Sequence, residues 1–272
     1  MNKTQTGLDV VIPCFNAEAT LERAVESALR QPEATRIWLV DDGSTDGTAN
    51  LIDRLKNRHP RIKAETMPQN GGAAKARNWA ALQSSADIIA FLDADDEYED
   101  GALAAPLFVF AHYPEIALVR QKLCPVGLPD HYRRTEGFSR AWQSLEMTVG
   151  GNMVFRRSIF LAAGGFPQHE LFRRLGGEDA ALGIAFTRCS VVATLFGEHI
   201  PGVTHYLHQN AHAWKLLDTS LFGKAADGIT PAEQEQAEAV TQQIAERIRS
   251  LQNILAVEQT GICPITVEYA EA

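Results

Sequence analysis

Between Leu8 and Leu92 the hydrophobic positions switch repeatedly between two periods. The short apolar runs "DVVIP", "RIWLV", "DIIAFL" and the weaker "IKAETM" read as strands. The stretches between them carry apolar residues every three or four places. "ATLERAVESALR" sets Leu21, Ala24, Val25, Ala28 and Leu29 on one helical face, "GTANLIDRLKNR" does the same with Leu51, Ile52 and Leu55, and "GAAKARNWAALQSS" reads as a third helix. Strand, helix, strand, helix predicts an α/β fold with a Rossmann-like, mostly parallel sheet and helices on both faces. Ligands of such sheets bind beyond the carboxyl ends of the strands. Pro13 to Asn16, Asp41 to Ser44 and Asp93 to Asp96 each follow a strand directly, so they are expected along one rim.

After Gly101 the alternation weakens. "GALAAPLFVFAHYP" predicts a helix broken or started around Pro106, "EIALVRQKL" and "NMVFRR" predict strands, and Ser158 is placed to cap a short helix through Ala163. Residues 124–141, with Pro125, Pro129 and Gly137, read as a loop or flap, and the Gly-rich stretch before "DAALGIAF" reads as a loop leading into a helix. From Pro231 to Leu255, Val240, Ile244, Ile248, Leu251 and Leu255 recur at helical spacing, an amphipathic helix to be packed on the domain or on a second copy of the chain. The expected division is a domain over 1–220, with a nucleotide-binding half (8–100) and an acceptor half (101–220), and a helical extension and tail over 221–272.

Composition narrows the field. A chain of 272 residues, 45 % hydrophobic and 22 % charged, is ordinary globular material. Its net charge of -9 argues against a nucleic-acid binder, which needs a basic face. Cys14, Cys124, Cys189 and Cys263 form no paired motif, so neither a zinc knuckle nor a disulfide framework is predicted, and a reducing cytosol fits best. No window has the roughly 20 apolar residues of a membrane span. A cytoplasmic location is expected, with peripheral membrane attachment compatible.

Several clusters carry candidate chemistry. "VDDGSTDGT" follows a strand, where Asp41 and Asp42 read either as loop charges or as acceptors for a base N–H or a ribose hydroxyl. "NGGAAKARN" opens a helix with two glycines, whose first-turn amides favour an anion; a plain helix entry is the alternative. "DAD", residues 93–95, ends the most apolar strand, and two carboxylates there suit Mg2+ or Mn2+ bridging to phosphates. Glu97, Glu99 and Asp100 read as solvated charges or a helix entry. In "GGEDAALG", Glu178 and Asp179 read either as first-turn residues matching the helix dipole or as a general base and its neighbour. His205, His208 and His212 lie close together near Trp214, a spacing open to a metal or phosphate contact.

Taken in order, "VVIPCFNAEATLERAVESAL", "VDDGSTDGT", "NGGAAKARN", "FLDADD", "GGNMVFRRSIF" with its following "AGGF", and "GGED" resemble the family 2 glycosyltransferases of GT-A fold. The resemblance implies an inverting, metal-dependent transferase that moves a sugar from a nucleotide-diphosphate donor, a UDP-sugar by preference, to an acceptor hydroxyl. It implies that Pro13, Phe15 and Asn16 line the nucleoside pocket, that Asp42 contacts the base, that Gly71 allows close approach and that Arg77 faces the nucleotide. Asp93 and Asp95 would form the metal pair, Asp95 the direct ligand of Mn2+ or Mg2+ and Asp93 nearer the ribose. His205 or His208 would complete the site. Asp179 would be the catalytic base, supported by Glu178. Arg188, late in the following helix, stands at an uncertain register for a substrate-placing arginine.

The Q-x-x-R-W motif of processive synthases is missing, since "AHAWKLL" keeps only the tryptophan, which favours single addition in glycan or polysaccharide biosynthesis. The acceptor, whether glycan, lipid-linked or small, is expected to meet 124–150 and 165–176, with Trp142, His131 and Arg133 foremost and Tyr132, Arg134, His169 and Phe172 beside them. A non-catalytic nucleotide-sugar binder and a sugar-phosphate nucleotidyltransferase are the alternatives. The second would want a Gly-rich basic loop after the first strand, where this chain has "PCFNAEAT".

Overall fold

The computed structural model describes residues 7–208, 212–224, 229–255 and 261–265, the side chains of 212 and 252–255 excepted. The predicted alternation is present as β1 (Leu8–Cys14), α1 (Leu21–Leu29), β2 (Ala34–Asp41), α2 (Thr48–Arg58), β3 (Ile62–Thr66), α3 (Ala73–Gln83) and β4 (Ile88–Phe91). The second half runs β5 (Glu97–Tyr98), α4 (Ala104–His112), β6 (Ile116–Gln121), β7 (Leu123–Val126), α5 (Asp130–Arg134), α6 (Phe138–Glu146), β8 (Met153–Arg156), α7 (Arg157–Ala162), α8 (Glu170–Leu175) and α9 (Glu178–Cys189). It closes with β9 (Val191–Leu195), β10 (Val203–Tyr206), α10 (His212–Phe222), α11 (Pro231–Leu255) and β11 (Gly261–Pro264).

The main sheet has the order β11-β9-β6-β8-β4-β1-β2-β3. It is parallel except for β8, which runs antiparallel to both β4 and β6. The period of two in β1 explains the two layers. Leu8, Val10, Ile12 and Cys14 point to one face, where α1 brings Leu21, Ala24, Val25 and Ala28. Val11 points to the other, where α3 brings Ala76, Ala80 and Ala81. On that second face Phe91, Phe160 and Phe166 meet ring to ring, with centroids 5.1 to 5.5 Å apart. A small sheet, β5-β10-β7, stands beside the rim and pairs β10 antiparallel to β5.

Several expectations change. Residues 124–141 are not a flap: they hold part of β7, then α5 and the start of α6, with Leu128, Tyr132 and Ala141 buried. The breakers Pro125, Pro129 and Gly137 mark joints between short elements. The loop before α9 likewise contains α8, anchored by buried Leu171 and Phe172. Ser158 caps nothing, because α7 begins one residue earlier, where the Arg157 amide donates to Asp87 O at 2.9 Å and extends the β4–β8 ladder. Beyond residue 220, β11 adds to β9 in the main sheet, and α11 packs on α9 with Ile244, Ala245 and Ile248 buried. Ile244 and Ile248 of the predicted apolar face are thus covered within the chain, Val240 and Leu251 are half-buried, and the Leu255 side chain lies outside the described residues. No helix among the described residues is long and apolar enough to cross a membrane.

Candidate active site

Parallel pairing brings the loops after β1, β2 and β4 to one rim, with Cys14 opposite Asp41 and Val11 opposite Phe91. The loops then bind each other. Asn16 Oδ1 accepts from the Thr45 amide at 2.8 Å, and the Asn16 amide donates to Ser44 Oγ at 3.0 Å. Asp42 is buried, and its carboxylate accepts from the amides of Gly71 at 2.9 Å and Gly72 at 2.7 Å. Burial nonetheless raises its pKa, against the pull of those two amides. The anion that the glycine amides were expected to attract is therefore the chain's own Asp42. Phe15 stays 49 % exposed at the tip of β1, with partly buried Pro13 beneath, a surface suited to a flat ring.

The acidic segment after β4 divides by partner. Asp93 pairs with Arg77 of α3. Asp95 faces outward, and its Oδ2 lies 3.4 Å from His208 Nε2. Burial and then the Asp93 charge raise the Asp95 pKa, while His205 and His208 pull it down. Asp96, undecided from sequence, is fully buried: it accepts from the Tyr206 amide at 3.0 Å and meets His205 Nδ1 at 2.7 Å. His205 is thus oriented by a carboxylate, and His208 touches the outward one. The side chain of His212 lies outside the described residues.

Glu97 and Glu99 are not simply solvated, whereas Asp100 is exposed as expected. Glu97 binds Arg23 Nε at 3.0 Å and the Tyr206 hydroxyl at 2.6 Å, Glu99 accepts from the Gly202 amide at 2.8 Å, and Asp100 meets Arg30 Nε at 2.9 Å. Arg23 also donates to the Asp95 carbonyl at 2.7 Å and stacks 3.7 Å over the Tyr206 ring. These pairings fasten the loop to α1 and β10.

A carboxylate and an imidazole nitrogen on one exposed edge, with a second carboxylate adjacent, form a donor set that fits Mg2+ or Mn2+. Among the described residues, no three His, Cys, Asp or Glu side chains gather closely enough to cage an ion unaided. Such an ion would complete its shell with water or with phosphate oxygens, which is the usual habit of Mg2+.

Asp179 opens α9. Its Oδ2 accepts from the Gly150 amide at 2.9 Å and its Oδ1 from the Ala180 amide at 2.8 Å. Burial, and then the neighbouring Glu178 charge, push its pKa up to about 6, against the pull of Arg77. Arg77, expected to face the nucleotide, is only 4 % exposed. It contacts Asp93, lies 3.8 Å from Glu178 Oε1 and sits 5.1 Å over the Phe166 ring. Burial works against its charge, but Asp93, Glu178 and Asp179 together hold its pKa above the ordinary value. Gly150 makes the packing possible, since a Cβ there would stand 2.9 Å from Arg77 Nη1.

The acceptor-side candidates separate. Trp142 is in the core, its indole N–H donating to Leu123 O at 3.0 Å, so it presents no face to a ligand. Tyr132 and Phe172 are buried as well. His131 and Arg133 are exposed, Arg133 donating to Pro125 O at 3.0 Å, and Arg134 pairs with Asp130 at 3.3 Å. His169 Nδ1 accepts from the Leu171 amide and caps α8. Arg188 faces α11, where it meets Glu238 at 2.5 Å, and takes no part in the rim. Sequence reading missed Arg23, Tyr206 and Arg120. Of these only Arg120 left a mark, as a charge inside the apolar strand run "IALVRQ".

Fold and rim together define an α/β protein with an acidic cluster at the carboxyl ends of its strands. The model of one family, Glycosyl transferase family 2, matches residues 9–164. The chain belongs to that family of glycosyltransferase enzymes. It is 39 % identical over 98 residues to the succinoglycan biosynthesis protein ExoU of Rhizobium meliloti, a match covering 36 % of this chain and 29 % of that protein. The chain spans about a third of the length of the curated relatives it matches. Among solved structures it resembles residues 1–349 of TarS from S. aureus in complex with UDP, with TM-score 0.58, 19 % identity and coverage of 92 % of this chain and 86 % of that one. It also resembles the mannosyltransferase PcManGT from Pyrobaculum calidifontis in complex with GDP-Man and Mn2+, with TM-score 0.57, 20 % identity and coverage of 93 % and 76 %. Both neighbours establish the fold as that of GT-A glycosyltransferases.

Proposed function

We propose that this protein is an inverting glycosyltransferase that moves one sugar from a nucleotide-diphosphate donor to an acceptor hydroxyl in glycan or polysaccharide biosynthesis, with a divalent metal. The observation that carries the reading is the cluster at the rim: Asp93, Arg77, Glu178 and Asp179 come from three separate motifs and meet beside outward-facing Asp95. The solved relatives with UDP and with GDP-Man and Mn2+ support a nucleotide-sugar donor and a metal; a UDP-sugar is the preferred donor.

Each residue has a distinct task in this reading. Phe15 and Pro13 receive the base, and Asn16 holds the Asp41–Ser44 loop against it. Asp42 shapes the pocket through Gly71 and Gly72, leaving lone pairs for a base N–H. Asp95, with His208 and Asp93, would hold the metal, while Asp96 keeps His205 in place beside them. A bound divalent ion there supplies positive charge for the departing diphosphate. Arg77 holds Asp93 and Glu178 in place from within the protein. Asp179 takes the proton of the acceptor hydroxyl as its oxygen forms the new bond to the anomeric carbon and the nucleotide diphosphate leaves from the opposite face. A carboxylate with pKa about 6 is ionised at neutral pH and more basic than a surface aspartate, as a general base requires. His131 and Arg133 remain the exposed candidates for the acceptor side.

The test is a thermal-shift screen with UDP, GDP, UDP-GlcNAc and GDP-mannose, each with and without Mn2+. A shift that needs both a nucleotide and Mn2+ is expected, and it should be lost in Asp95→Ala. Absence of any shift across the panel would overturn the reading.

A further inference from the structure

Arg120 lies in β6 and is fully buried. Burying a guanidinium without a counter-ion costs several kcal/mol, so what surrounds it is informative. Among the described residues no carboxylate pairs with it. Its Nη1 donates to the carbonyls of Glu146 at 3.1 Å and Val149 at 3.2 Å and to Asn152 Oδ1 at 3.3 Å, while Nε and Nη2 have no hydrogen-bond partner.

Two features tie this buried cation to the rim. Segment 146–152, which Nη1 holds, supplies the Gly150 amide to Asp179 Oδ2 at 2.9 Å. The same segment lies flush against the acidic cluster, since a Cβ on Gly151 would stand 2.8 Å from Asp93 Oδ2. The second feature is in α9. Gly183, one turn after Asp179, interrupts the helix with a residue that favours helix less than alanine does. A Cβ there would collide with Arg120 Nη2, so the helix is cut back where the guanidinium sits. Burial pushes the Arg120 pKa down to about 9, and the Asp179 carboxylate opposes that fall.

We propose that Arg120 is a positioning residue for the catalytic base: it clamps segment 146–152 so that the Gly150 N–H meets Asp179, and its guanidinium fills the space that Gly183 leaves one turn further along the same helix. The inference rests on Asp179 acting as the base. The other charges facing Asp179 are Glu178, Arg77 and Asp93, so Arg120 is the second cation in a net-acidic group.

The test uses Arg120→Met, Arg120→Lys, Gly183→Ala and Asp179→Asn in the full chain. The readout is release of UDP from UDP-GlcNAc or GDP from GDP-mannose, whichever donor the thermal-shift screen selects, with Mn2+ and with water as acceptor. Profiles are taken between about pH 5 and pH 9 to capture the acidic limb. Arg120→Met is expected to stay folded with a somewhat lowered melting temperature, because it removes an unpaired buried charge but leaves Val149 O and Asn152 Oδ1 without the donor that served them. It should keep donor KM, lose about 10- to 100-fold in kcat, and move the acidic limb of kcat upward. Arg120→Lys should return the limb towards its original position. Gly183→Ala, which displaces the guanidinium while favouring the helix, should reproduce the fall in kcat and the shifted limb, and it decides the matter should Arg120→Met fail to fold. A wild-type kcat and limb in either Arg120→Met or Gly183→Ala overturns the inference, as does a fall in kcat with the limb unmoved. Wild-type release in Asp179→Asn would instead sink the base assignment.

Discussion

Replacing Arg77 by methionine perturbs the rim most directly, because one buried cation holds three carboxylates together. Asp93 and Glu178 are its nearest partners, and their side chains are 27 % and 18 % exposed. Breaking a fully buried pair costs about 3–5 kcal/mol. The partial exposure of both acids places the expected loss near the lower end, about 3 kcal/mol. At about 2–4 °C per kcal/mol for a chain of this size, Tm should fall by about 6–12 °C. The loss should also depend on pH with a definite sign. A carboxyl whose folded pKa lies above its unfolded value of about 3.9 supports the fold at low pH and weakens it as pH rises through the folded value. Asp179, already near 6, should rise further without Arg77. The deficit of the variant should therefore be full above neutrality and shrink as pH falls towards 4. Thermal unfolding followed by circular dichroism, at about pH 7.5 and about pH 5, gives both quantities. A Tm loss below about 2 °C, or an equal loss at both pH values, would refute the picture of Arg77 as the shared counter-ion.

Three further outcomes are expected. Asp179→Asn should keep donor binding by thermal shift and lose about 10²- to 10⁴-fold in turnover; the wild-type kcat should fall on the acidic side of about pH 6, and a flat profile there would contradict a base with that pKa. In Asp95→Ala the Mn2+-dependent part of the nucleotide shift should disappear while Tm without ligand stays within about 2 °C, and a retained Mn2+ effect would move the metal elsewhere. The two histidines should separate: His205→Ala leaves buried Asp96 without its ring partner and should cost about 1–3 kcal/mol in urea unfolding. His208→Ala, more exposed, should cost less in unfolding than His205→Ala and weaken the Mn2+-dependent shift, and the reverse pattern would exchange their roles.

What sequence could reveal follows from the range of the interactions involved. The strands β1, β2 and β4 and helices α1 and α2 are specified by local periodicity, and the rim follows from them by topology alone, so Asp42, Asp93 and Asp95 were locatable before any coordinates. Failures begin where elements are short or pairings long. Segment α5 has only five residues and one buried side chain, too little for a helical period to show, so its flanking Pro129 and Gly137 read as loop. The assignment of Asp96 required knowing that β10 lies against β5, a contact more than a hundred residues away in sequence. Asp93 and Asp96 are both aspartates after one strand, yet one meets an arginine from α3 and the other a histidine from β10. No local pattern separates them.

Arg120 shows the opposite case, where the local signal was present and its meaning was not. A charge within "IALVRQ" and a glycine within "EDAALGIAF" are each a small violation of local preference. Apart, the first reads as an edge of the strand and the second as a weak spot in the helix. Together they are one feature, since the side chain that breaks the strand's apolar pattern occupies the volume that the glycine leaves open. Two residues 63 positions apart that each depart from local preference thus fit the positioning role proposed for Arg120 towards Asp179, four residues before Gly183. Paired violations of this kind locate a long-range contact more sharply than either residue type does, because each broken preference is explained by the other residue.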